Sequence, residues 1–236
     1  MRKHAALAAS FIAAALLLSA SCEFDRQATG PVEDMPVSVD TGNAERANIE
    51  LDMGAGQMNV DGGGKKLLQG DVEYNVPGLK PTVVASHNGV NATITMKQGQ
   101  TVHAGHLHYV WNLQLADKIL TDLTVHCGAG QAKLDLGSVT LRTLSVDMGA
   151  GQVQLDLTGT PTHDYDVKIN GGVGQANIHL PQNVGIWASA HGGIGSIKVE
   201  GLQKDGDHWQ NDLYDKSKVN VRVEVNGGIG EIRLIG

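Results

Sequence analysis

Apolar and polar residues alternate along most of this chain with a period of two. Ile49, Leu51 and Met53 share one face, with Glu50 and Asp52 between them. Met58 and Val60 follow, and the same pattern returns at Leu144, Val146, Met148 and at Val153, Leu155, Leu157. Alternation of this kind predicts half-buried strands. Between the two runs of each copy stands Gly-x-Gly, and the apolar positions change parity across it. A bulge or corner therefore falls at the triplet. No ten-residue stretch after the N-terminal segment has helical spacing, although a brief turn fits near Leu115–Leu120.

The triplet recurs. Full copies lie at Gly54/Gly56, Gly128/Gly130, Gly149/Gly151, Gly172/Gly174, Gly193/Gly195 and Gly228/Gly230. A degenerate copy begins at His87, with Gly89 but with Asn91 in place of the second glycine. The basic period is about 21 residues, which is the signature of a repeat architecture. One such unit cannot bury its apolar face alone, so the copies stack. The predicted fold is all-β: a single-domain β-solenoid of roughly seven coils, built of stacked, mostly parallel strands over residues 48–236. Glycine is needed at the bends because a side chain there would strike the next coil or require positive φ. Gln57, Gln131, Gln152 and Gln175 follow the triplet in four copies, a candidate hydrogen-bonded ladder.

Two stretches break the rhythm, Gly62–Pro81 and Gly201–Ser217, and both read as hairpin-type excursions. The second carries Trp209 and Tyr214, a cap for the final coil or an anchor for a partner. A third irregular stretch, His103–Asp122, holds Trp111 and three histidines.

The chain begins with Arg2 and Lys3, then an apolar run from Ala5 to Leu18, then Ser19-Ala20-Ser21-Cys22. This reads as a signal peptide over residues 1–21, too short to span a membrane comfortably. Cys22 is then the candidate lipidation site, and ordinary signal cleavage is the competing reading. Residues 22–47, polar and acidic with Gly30, Pro31 and Pro36, read as a lipidated N-terminus and flexible linker. There are only two cysteines. The other, Cys127, occupies the position of Met53 and Met148 in sister repeats and reads as a buried, inert thiol.

The net charge of −7 and the lack of a basic stretch argue against a nucleic-acid partner. Aromatic residues make up only 4% of the chain, so platforms for stacking sugars are scarce. Other chemistry is weakly indicated. The Gly-Ala-Gly at Gly54 lacks both the third glycine and the following helix that a dinucleotide loop needs. A calcium repeat would need acids where Ala176, Ile197 and Ile232 stand. His103, His106 and His108 form His-x2-His-x-His, a weak candidate for zinc or copper with no carboxylate inside the cluster. Asp117 and Asp122 lie downstream of it. Asp52, Asp147, Asp164, Asp166 and Glu224 sit near the strands as candidate catalytic carboxylates, but they read as a solvated surface.

Several stretches together resemble a known bacterial family: DMGAGQMNVDGG, LLQGDVEYNVPGLKPTV, and the run from WNLQLADKIL through two GAGQ copies. They are similar to the toast-rack domain, in the group that holds LiaF-like cell-wall-stress proteins and adhesin-type envelope proteins. The resemblance covers about Asn48–Gly236. It implies a β-solenoid at the cell envelope, no established enzyme activity and no agreed binding residues; no cofactor is expected. LiaF-like members carry transmembrane helices ahead of the domain, which this chain lacks beyond its signal segment. The expected function is non-catalytic: a lipid-anchored envelope protein, facing the periplasm or exterior. It would present a rigid β surface to an envelope protein or cell-wall component, in stress response or adhesion. The alternatives are a metal-binding periplasmic protein centred on the histidines and a polysaccharide-active β-helix enzyme.

Overall fold

Residues 29–100 and 106–236 are described in the structure, a computed structural model. The chain runs through β1 (Glu33–Val39), β2 (Arg46–Gly64), β3 (Leu68–Tyr74) and a single 3-10 turn at Pro77–Leu79. It continues through β4 (Thr82–Asn88), β5 (Asn91–Lys97), β6 (Tyr109–Ala116), β7 (Leu120–Asp135), β8 (Leu141–Asp156) and β9 (Tyr165–His179). The last elements are β10 (Gly185–Glu200), β11 (Gln203–Asp205), β12 (His208–Gln210) and β13 (Asn220–Ile235). Among the described residues there is no α-helix, and the expected turn before β7 sits at Asp117–Lys118.

Six long strands carry the six full triplets near their midpoints and pair in parallel, in the order β2-β7-β8-β9-β13-β10. Each is one coil with two arms meeting at the bend. A seventh layer lies outside β2, where β5 pairs with its first arm and β6 with its second. The alternation becomes the core: Ile49, Leu51 and Met53 of one arm and Met58 and Val60 of the other are all fully buried. The parity change across the triplet is therefore the corner that turns both arms' apolar faces inward.

Four local features depart from the sequence pattern. The segment read as flexible linker contributes β1, antiparallel to β3, with Val37 and Val39 buried. Its Met35-x-Val37-x-Val39 alternation is short and interrupted by Pro36, which an edge strand tolerates. Gly89 is not a bend glycine; it lies in the tight turn of the β4–β5 hairpin at φ +61°. Trp111 belongs to a regular strand, β6, where it is fully buried and meets Tyr109 edge-to-face at 5.9 Å. Finally, the copies do not stack in sequence order. After β10 the chain folds β12 against the outer edge of β10, pairing Trp187 with Gln210 and Ala188 with Trp209. It then returns on the inner edge, so β13 lies between β9 and β10.

Candidate functional site: the lanes along the glycine bends

The bends stack in register, and this is why they are glycine. A Cβ built on Gly128, Gly149, Gly172, Gly193 or Gly228 would fall well inside 3.0 Å of the carbonyl oxygen of the equivalent glycine in the adjacent coil. The second glycines are held just as closely. Gly151 has φ +139° and packs against the Gly130 carbonyl, so both backbone conformation and space exclude a side chain there. Gly54 and Gly56, in the first coil, face Gln98 and Tyr109 instead.

Because the backbones are locked in register, equivalent side chains form lanes whose successive members are about 4.8 Å apart. One lane, two positions ahead of each triplet, runs Asp52, His126, Asp147, Asn170, Asn226, His191. It is knitted by His126 Nδ1 to Asp147 Oδ2 at 3.2 Å, Asn170 Nδ2 donating to Asp147 Oδ1 at 2.7 Å and Asn226 Nδ2 donating to Asn170 Oδ1 at 3.2 Å. Asp52 and Asp147 thus flank a histidine in a shallow polar row. The four glutamines also fall in register, followed by Glu231 and then Ser196. Of their rungs, Gln131 Nε2 donates to Gln152 Oε1 at 3.5 Å, while Gln57 turns to Asn59 at 3.2 Å.

The middle residue of the triplet forms the outermost lane. It is Ala55, Ala129 and Ala150 in β2, β7 and β8, then Val173, Ile229 and Ile194 in β9, β13 and β10. These last three are 54%, 51% and 72% exposed and form a contiguous apolar row. The sequence held this signal in the change from Gly-Ala-Gly to Gly-Val/Ile-Gly, but its meaning depended on knowing that the middle residue points outward.

The other candidate residues are dispersed. His103 and Cys22 lie outside the described residues. His106 and His108 precede β6; the His106 carbonyl accepts from Asn75, and the His108 ring lies 2.7 Å from Glu73 Oε2. That orienting carboxylate comes from a neighbouring strand, which a search of the local sequence misses. Asp117 accepts from the Ser138 hydroxyl at 2.6 Å and the Gly63 amide at 2.7 Å. Asp122 accepts from Arg142 and Thr143. Burial alone would raise its carboxyl, but those hydrogen bonds outweigh burial and hold it below the ordinary value. Asp164 accepts from the amide of Asn220 at 2.7 Å. Among the described residues no three His, Cys, Asp or Glu side chains converge as a metal site would require.

Cys127 is buried, and burial pushes its thiol up to about 11. At the far end of the stack Trp187 is packed between Arg222, 4.5 Å above the ring, and the stacked ring of His208. Trp209 is partly buried against the core. The excursion caps β10, the spatially last coil, and not the C-terminal strand.

A bent, in-register solenoid with glycine corners and side-chain lanes is the architecture these residues define. The family model for the N-terminal domain of toast_rack, DUF2154, matches residues 28–179, and the chain belongs to that family. A second model, cell wall-active antibiotics response LiaF, C-terminal, matches residues 129–234. Among solved structures the chain is similar to a candidate cell adhesion protein from Clostridium sporogenes, 27% identical. That match covers 87% of this chain and 99% of the other, with a TM-score of 0.82. It also matches a candidate adhesin from Parabacteroides distasonis at 14% identity over 86% of this chain and 97% of that one, with a TM-score of only 0.28. No curated protein matches the chain.

Proposed function

We propose that the protein is a non-catalytic component of the cell envelope that presents a rigid β surface to a partner. The partner is an envelope protein or a cell-wall component, and a lipid on Cys22 tethers the domain. Support comes from the toast-rack membership, the LiaF-type match over the later coils, and the likeness to a candidate cell adhesion protein. The observation that carries the reading is the exposed row Val173–Ile229–Ile194. Contiguous exposed apolar surface marks contact sites, and these side chains stand on backbone that stacked glycines hold fixed.

Photo-crosslinking in intact envelopes tests it. A crosslinker at Ile194 is expected to give a discrete adduct that one at Val84, also well exposed but on β4, does not. Loss of the adduct in Ile229→Asp is expected as well. Equal labelling from both positions would contradict the reading. Metabolic labelling with a fatty-acid analogue tests the anchor: the wild type is marked and Cys22→Ser is not.

A further inference from the structure

Beneath the bends of β9, β13 and β10, between the two arms, lies an apolar cavity of about 200 Å³. Its walls include Met148, Ile169, Val225, Ile197 and Ile232. It exists because of one position, the residue just before each triplet. In β2, β7 and β8 that position holds Met53, Cys127 and Met148, in register, all buried and filling the space under the bend. In β9, β13 and β10 the same register holds Gly171, Gly227 and Gly192.

These three glycines differ from those of the triplets. None of them has positive φ. A Cβ on Gly171 would meet nothing within 4 Å, and one on Gly192 would first meet Ile197 Cδ1 at 3.7 Å. At Gly227 the nearest atom is the end of a flexible side chain, Ile232 Cδ1 at 3.1 Å. Neither the backbone nor its neighbours require glycine, yet three successive coils omit the side chain. Close-packed cores rarely leave such space, and a largely apolar recess of this size favours an apolar guest.

We propose that this cavity binds a single unbranched aliphatic chain, the acyl chain of a neutral lipid. The chain's shape is argued from the other half of the stack. There the equivalent space is filled chiefly by methionine, itself an unbranched, flexible apolar chain. Three coils at strand spacing give a run of about 10 Å along the stack. Val173 and Ile229 line the cavity and are half exposed, so it communicates with solvent beside the apolar row. The neutral head follows from Glu231, which lines the cavity. The nearest cations, Lys198 and Arg233, are paired with Glu231 at 2.7 and 3.5 Å, and its carboxylate at the cavity wall repels an anionic head. This binding needs only the folded domain and does not depend on the interaction role proposed above.

Calorimetric titration of the purified protein with monodecanoylglycerol, kept monomeric, tests it. Saturable one-to-one binding is expected, with decanoate at least tenfold weaker. Gly171→Met and Gly192→Met fill the cavity from its opposite ends. Each is expected to abolish binding and to melt no lower than wild type, so either variant suffices if the other fails to fold. Absence of saturable binding to wild type would overturn the proposal. So would binding that persists unchanged in a folded Met variant.

Discussion

The side-chain oxygen of Gln98 lies 2.9 Å from the amide nitrogen of Gly54, on the outer side of the first full bend, where no further bend stacks. The same oxygen is 3.4 Å from the amide of Ala55, and the Gln98 backbone amide donates to the Asp52 carbonyl at 2.8 Å. One glutamine thus closes the open end of the glycine lane. Solenoids need such terminal devices because their end coils expose unsatisfied backbone.

Gln98→Ala should therefore loosen that end without unfolding the rest. The expected cost is about 1 kcal/mol, the net worth of an exposed hydrogen bond or two. Hydrogen exchange is the decisive measurement: the amides of Gly54 and Ala55 should exchange faster in the variant, while those of Gly151 and Gly174 should not change. Unchanged protection at Gly54 would show that Gln98 is incidental.

Much of this fold was legible because it is written as repetition. The triplets and the alternation around them specify a bent strand, and the shared frame specifies stacking. What was not legible depends on contacts across long sequence separation. Gly89 mimics a bend glycine, but the hairpin pairing of Asn88 with Asn91 claims it for a turn. Val37 and Val39 look like linker until β3 is brought beside them. The place of β13 inside β10 follows from β12 occupying the outer edge of β10, a tertiary fact with no local trace. For the site, the histidine cluster was visible as a motif, whereas Glu73, which binds His108, is on another strand. The apolar row could be found only by aligning the middle residues of the triplets.

Cys127 should be inert in the folded protein. Its thiol is buried and raised to about 11, so little thiolate exists near neutral pH. A disulfide-exchange reagent at pH 8 should modify it at least about 100-fold more slowly in native protein than in denaturant. Comparable rates would mean that the bend above it opens readily.

Asp122 should contribute to acid sensitivity. Its carboxyl is held low in the folded state by Arg142 and Thr143, so the stabilisation is fully present above the unfolded value of about 3.9 and is lost as pH falls through the folded value. Arg142 is 59% exposed, which limits the effect to under about 1 kcal/mol. Asp122→Asn should thus be less stable than wild type at pH 7, with the gap closing towards pH 3. A gap that widens on acidification would contradict this sign.

The central claim is that the triplets are stacked corners of a scaffold, not binding loops. Thermal unfolding of Gly151→Val measures this most directly, with Gly30→Val as control. At Gly151 the new side chain meets the Gly130 carbonyl at positive φ, and a loss of about 4 kcal/mol or more, or failure to fold, is expected. At Gly30 a Cβ has its nearest neighbour at 3.7 Å, and the melting temperature should stay close to wild type. A Gly151→Val protein that melts with wild type would contradict the account.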